Sequence, residues 1–116
     1  MRRTPSRLPA TFKRSHCAIL PLVLKREWYD MIARGEKREE YRNEGHYWAT
    51  RLSNWDNTPA ICHVVEFRLG YAKDAPRIAF TCPIYISACG SKHPEWGEPE
   101  EPHYTLLLGR RVFLED

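Results

Sequence analysis

The sequence predicts an α+β domain, a small mixed β-barrel of five to six strands with two short helices near its N-terminus. Three observations lead there. Helical patterns fall early, over residues 25–34 and 43–52, and short apolar, β-branched runs punctuated by Gly and Pro fill the chain after residue 60. The chain has 116 residues, enough for one core and too few for two ordinary domains. Strands that follow one another without intervening helices favour a barrel over a layered parallel sheet. No internal repeat is visible.

Taken in order, residues 1–16 hold Arg2, Arg3, Arg7, Lys13 and Arg14 and no acid, with Pro5 and Pro9 among them. The formal net charge of +3 resides in this segment, because the remaining 13 Lys and Arg face 15 Asp and Glu. The composition predicts a flexible basic arm, either an unstructured leader or a phosphate-attracting tail, ahead of a single domain over 17–116. Ala18–Leu24 reads as a buried strand. Lys25–Arg34 reads as a helix whose Leu24, Trp28 and Ile32 seat it on the sheet, Trp28 being core.

Gly35 suits a helix stop, since glycine takes the left-handed conformation without a Cβ penalty. The charged run Glu36-Lys37-Arg38-Glu39-Glu40-Tyr41-Arg42 follows it. Strand alternation puts Glu36, Arg38, Glu40 and Arg42 on one side and Lys37, Glu39 and Tyr41 on the other, unless a turn before Arg38 changes the parity. Asn43 suits an N-cap for a second helix through Leu52, with Trp48–Leu52 and Tyr47–Arg51 each four apart. Gly45 weakens that helix by roughly 1 kcal/mol relative to Ala. Residues 53–60 are turn-rich and read as a loop whose Trp55 closes the domain.

Ile61–Leu69, Arg77–Cys82, Ile84–Cys89, Tyr104–Leu108 and Arg111–Leu114 read as strands, with Pro83 a bend between the second and third. Ser91–Pro102, rich in Pro and Glu, is a long loop of the kind that is often functional or mobile.

Lys37 and Arg42 can contact phosphate or a carbonyl oxygen, Arg as a planar fork and Lys as a point charge. Glu40 can accept from an exocyclic amine or serve as a general base. On charge alone the same residues form a solvated ion-pair group, each exposed pair contributing about 0–1 kcal/mol.

Gly35, Lys37, Glu40 and Arg42, spaced Gly-x-Lys-x-x-Glu-x-Arg after a strand and a short helix, resemble the motif of the ASCH family of the PUA-like superfamily. Leu20–Trp28 and Tyr104–Gly109 also look like that family's first and final strands, so the resemblance spans roughly residues 17–114. It implies a PUA-like barrel and an RNA- or modified-nucleotide-binding module. Its cleft is expected between the motif and the loop joining late strands. Lys25, Lys37, Glu40, Arg42, Glu95, Trp96 and Glu98 are then the ligand-binding residues, and stacking of a base on Trp96 is typically worth about 1–3 kcal/mol.

The alternative by the same resemblance is a small amidohydrolase acting on acylated pyrimidine nucleosides, with Lys37 and Glu40 catalytic. Such enzymes resemble this chain at their Lys, but a Thr stands where this chain has Glu40. A third class is a structural or interaction protein whose charged motif is merely solvated.

Cys17, Cys62, Cys82 and Cys89 include no Cys-x-x-Cys pair. The half-sites Cys89/His93 and Cys62/His63 lack the paired spacing of a zinc site, so neither metal nor other cofactor is expected. No apolar run approaches the ~20 residues of a spanning helix, and the N-terminus lacks a secretory apolar stretch, which makes a cytoplasmic address and no membrane partner the expectation.

Overall fold

In the computed structural model, which describes residues 10–116, two helices and eight strands pack as two sheets. The strands are β1 (Ala10–Lys13), β2 (Cys17–Leu24), β3 (Glu39–Asn43), β4 (Cys62–Leu69), β5 (Arg77–Thr81), β6 (Ile84–Ala88), β7 (His103–Leu107) and β8 (Arg111–Glu115). The helices are α1 (Arg26–Ala33) and α2 (His46–Asp56). One sheet has the order β1-β8-β5-β4-β2 and the other β3-β7-β6. β1 runs parallel to β8 and β2 parallel to β4, while the other pairs are antiparallel. Among the described residues no helix is long and apolar enough to cross a membrane.

The expected barrel of five to six strands is therefore corrected to eight strands in two sheets, with no closed barrel. The two added strands are β1, inside the segment read as a flexible arm, and β3, inside the charged motif. In β1 the half-buried Ala10 and Phe12 alternate with exposed Thr11 and Lys13, the pattern of a strand with one wet face. Arg14 then grips buried Glu66 through two hydrogen bonds of 3.2 and 2.6 Å. Residues 10–16 of the arm expected over 1–16 are thus part of the domain, while residues 1–9 lie outside the described residues.

β1 and β2 occupy opposite edges of one sheet although only Arg14–His16 separates them. Laid flat, five strands would hold those edges about 19 Å apart. The four chain steps from Lys13 to Cys17 span at most about 14 Å. The sheet must therefore curl. On its inner face, which no helix covers, Val64 and Val112 are nonetheless buried together with Ala79, flanked by Phe12, Cys17, Cys62 and Leu114.

The opposite face carries the main core. There Leu20 faces Val65 and Leu22 faces Phe67 across β2 and β4, packed with Ile32, Leu52 and Leu106. Helix α1 ends as expected: Gly35 has φ 80°, its N–H bonds the Ile32 carbonyl at 3.0 Å, and Glu36 N–H bonds the Met31 carbonyl at 2.9 Å. That pair of bonds is a Schellman cap. Tyr29 and Ile32 are the buried residues of α1, whereas Trp28, expected in the core, is half-buried and turns toward the cavity described below.

Helix α2 departs from expectation at both ends. Asn43 is the last residue of β3 rather than a cap, and the helix starts at His46 behind Gly45. It then runs through Ser53–Asp56, which turn propensity had assigned to a loop. Burial overrides propensity here, because Leu52 and Trp55, three apart, are both buried and the Trp55 indole N–H donates to the Ala18 carbonyl at 2.9 Å.

A close approach near the C-terminus makes a testable demand. Gly109 N–H donates to the Thr81 carbonyl at 2.7 Å, and a Cβ on Gly109 would sit 2.3 Å from Thr81 Oγ1 and 3.0 Å from the Thr81 carbonyl oxygen. Gly109→Ala is expected to destabilise the domain by about 1–3 kcal/mol, read as a lower urea midpoint at unchanged slope.

Candidate functional site

The charged motif folds into a buried chain of ion pairs. The turn that follows the Gly35 cap delivers Lys37 beside the start of β3, where Glu40 and Arg42 share a face by strand alternation. Lys37 is 2 % exposed and Glu40 5 % exposed, so the solvated-group reading is set aside by burial. Lys37 Nζ lies 3.3 Å from Glu40 Oε1, and Arg42 Nη1 lies 3.1 Å from Glu40 Oε2. Tyr41 N–H also donates to Glu40 Oε1 at 3.0 Å, and Arg42 donates to the Tyr41 carbonyl at 2.8 Å. A carboxylate has about four acceptor positions. Here Oε1 accepts from Tyr41 N–H and faces Lys37, and Oε2 faces Arg42.

Lys37 also donates to the Trp96 carbonyl at 2.6 Å and lies over the rings of Tyr41 and Trp28, 4.4 and 5.2 Å from their centroids. Burial lowers its pKa, Glu40 opposes that shift, and Arg42 adds to it. Burial, with a hydrogen bond to Glu39, raises the Tyr41 phenol.

Above this chain opens a cavity of about 710 Å³. Its walls include the β2 stretch Pro21–Lys25, Trp28 from α1, Glu40, Tyr41 and Arg42 from β3, Tyr47, Trp48 and Arg51 from α2, Arg68 and Tyr71, and Trp96 and Gly97. Two guanidiniums lie over the Trp48 ring, Arg42 at 5.2 Å and Arg51 at 5.0 Å from its centroid. Arg51 is itself fixed by a 2.8 Å bond to the Pro21 carbonyl on the β2 edge. Cations outnumber acids on these walls, since Lys25, Arg42, Arg51 and Arg68 face Glu40 as the sole carboxylate.

The loop between β6 and β7 closes one side. Glu98 is buried and organises it: Oε1 accepts from Lys92 N–H at 2.7 Å and His93 N–H at 2.9 Å, and Oε2 meets His103 Nε2 at 2.9 Å. The Glu101 carbonyl lies 2.7 Å from His103 Nδ1, which assigns a proton to that nitrogen because a carbonyl can only accept. Burial pushes the Glu98 pKa up, but His103 and the two backbone N–H groups more than offset it, and the net shift is downward. Gly97, at φ 81°, packs on Trp28 so closely that a Cβ there would sit 2.9 Å from the indole.

Of the residues expected from sequence, Lys25, Glu40, Arg42 and Trp96 line the cavity. Lys37 lies behind its wall, bonded to Glu40 and Trp96 rather than open to a ligand. Glu98 is a clamp on the loop backbone. Glu95 is exposed, pairs with His93 at 3.1 Å, and does not line the cavity. The sequence reading missed Trp48, Arg51, Arg68 and Tyr71 as wall residues and took Trp28 for core. Tyr47–Arg51 and Trp48–Leu52 were visible as helical pairs; the usable signal was that Trp48 and Arg51, three apart, put an aromatic and a cation on one face.

Among the described residues no three His, Cys, Asp or Glu side chains converge in a metal-binding group. The fold and site together define a small α+β domain with an aromatic, arginine-lined cavity over a buried Lys–Glu–Arg chain. Comparison with protein-family models, curated proteins and solved structures finds no match.

Proposed function

We propose that the domain is an RNA- or nucleotide-binding module of the ASCH type within the PUA-like superfamily. The observation that carries this reading is the cavity wall on which Arg42 and Arg51 lie against Trp48, with Trp28 and Trp96 on the same cavity. Aromatic faces accept any base by stacking, and guanidiniums supply counter-charge to phosphate. The volume of about 710 Å³ falls within the range of small-ligand sites. Glu40, the carboxylate on the cavity wall, suits an exocyclic amine as acceptor.

The hydrolytic alternative draws support from Lys37, whose burial lowers its pKa beside Glu40. Two features weigh against it. The Lys37 ammonium is committed to the Trp96 carbonyl and Glu40, and the Glu40 carboxylate is itself engaged by two cations and a backbone N–H.

Tryptophan-fluorescence titration of the full chain with nucleosides, mononucleotides and short RNAs tests the module. Saturable quenching is expected, weakened at least about tenfold by Trp48→Leu if stacking contributes its usual 1–3 kcal/mol. For RNA, log affinity should fall linearly with log salt, by about 0.7 per phosphate contacted. Deleting residues 1–9 should preserve binding, whereas deletion through residue 16 would remove β1 and Arg14 and should destabilise the fold. Absence of binding by the full chain, or binding lost with residues 1–9 alone, would contradict the cavity reading.

A further inference from the structure

One side of the cavity carries positive charge that nothing in the fold balances. In register across β2, β4 and β5 stand Val23, Arg68 and Arg77, and facing residues of adjacent strands share a side of the sheet. The two arginines are thus cross-strand neighbours of like charge, a pairing that is unfavourable without a counter-charge; Arg77 donates to the Lys73 carbonyl at 3.4 Å, and Arg68 is the one on the cavity wall. The carboxylate closest along β4 on that side, Glu66, is spent on Arg14. Neither Arg68 nor Arg77 makes a salt bridge among the described residues.

Arg68 lines the cavity, and one of its Nη2 hydrogens goes to the Ala72 carbonyl at 2.8 Å. Its Nε is buried and has no hydrogen-bond partner. That Nε–H is turned into the protein, so the terminal N–H groups not bonded to Ala72 are the ones Arg68 offers to an occupant of the cavity. Lys25, at the end of β2, lines the same cavity, and its ammonium has no ion-pair partner among the described residues. Arg42 and Arg51 differ, being already anchored to Glu40 and to the Tyr41 and Pro21 carbonyls.

We propose that Arg68 and Lys25 form a phosphate subsite of the cavity, so that the ligand is recognised as a phosphorylated nucleotide and not as a bare nucleoside. This rests on the nucleotide-binding reading above. The shared chemistry is a phosphate oxygen accepting from the terminal N–H groups of the Arg68 guanidinium and facing the Lys25 ammonium, and it can come from a mononucleotide monoester or from an RNA phosphodiester.

Calorimetric titration of the full chain with the four ribonucleosides, their 5′- and 3′-monophosphates, and trinucleotides lacking terminal phosphate tests the subsite. A phosphorylated probe is expected to bind about tenfold more tightly than its matched nucleoside. Whether the monophosphate or the trinucleotide shows that gain identifies the source. Arg68→Gln should close the gap between phosphorylated probe and nucleoside, and exposed Lys25→Gln should narrow it. Equal affinity for nucleoside and nucleotide in the unmodified protein, or a gap that survives both substitutions, overturns the subsite. If in that case Trp48→Leu still abolishes nucleoside binding, the broader reading stands without it; if no probe binds at all, both fall together.

Discussion

Lys37→Met is expected to lower stability by about 3 kcal/mol, near the lower end for breaking a buried pair because Arg42 still accompanies Glu40. Methionine fills much of the same volume, so the loss is electrostatic: the Trp96 carbonyl and one Glu40 oxygen lose their donor. Guanidinium denaturation reads the change. Adding Glu40→Gln to Lys37→Met should recover part of the loss, since the double variant no longer buries an under-partnered carboxylate. A single Lys37→Met variant as stable as the parent would show that the buried chain is not what holds the motif to the loop. The pH dependence has a definite sign. Burial lowers the folded-state pKa of Lys37 below its unfolded value, so between those two values the unfolded chain binds more protons. The Lys37 contribution to stability therefore rises with pH through that interval, which lies below the ordinary lysine range, and this rise should vanish in Lys37→Met.

Glu98→Ala is expected to cost a comparable amount, about 3–5 kcal/mol, because it strands Lys92 N–H, His93 N–H and a fully buried His103 at once. Glu98→Gln keeps the shape and one acceptor and should cost less. Local opening should precede global unfolding in Glu98→Gln, with faster hydrogen exchange at Lys92 and His93 than at core strand β4. Here too the direction with pH is fixed by the geometry. The folded-state pKa of Glu98 lies below its unfolded value, so the contribution is fully present above the ordinary carboxylate pKa of about 4.3 and is lost as pH falls through the folded value. Acid should therefore loosen the loop that carries Trp96, and Glu98→Gln should lack that acid-dependent step. Unaltered acid sensitivity in the variant would assign it to other carboxylates.

The sequence announced its local features well and its long-range ones poorly. Gly35 was legible as a helix stop because a Schellman cap is a local device, and β2, β4 and β7 were legible because their apolar runs are short and bounded. β1 was hidden by composition: Ala10-Thr11-Phe12-Lys13 alternates as a strand should, but it sits among arginines and prolines and is held by β8, whose Val112 pairs with Ala10 from the far end of the chain. The end of α2 was hidden for a related reason, since Ser53–Asp56 become helical to bury Trp55 under Ala18, a contact no local propensity encodes.

The site divides the same way. Lys37, Glu40 and Arg42 lie within six residues and could be read as a unit, and Trp96 followed from the family resemblance, which sets the cleft against its loop. Trp48, Arg51 and Arg68 reach the cavity only through the packing of α2 and β4 around β2, so their roles could not be read from spacing. Glu98 shows the opposite failure. It sits in the loop that does shape the site, yet its carboxylate is turned inward to the backbone and His103.

The central claim, that this cavity receives a nucleotide, is tested most directly by the indole N–H resonances of the four tryptophans during titration with a mononucleotide or short RNA. Trp28, Trp48 and Trp96 line the cavity, while the Trp55 indole is buried and bonded to Ala18 and serves as an internal control. Saturable shifts at Trp28, Trp48 and Trp96 with Trp55 unmoved are the predicted result. Binding that leaves all three cavity indoles unshifted would contradict it.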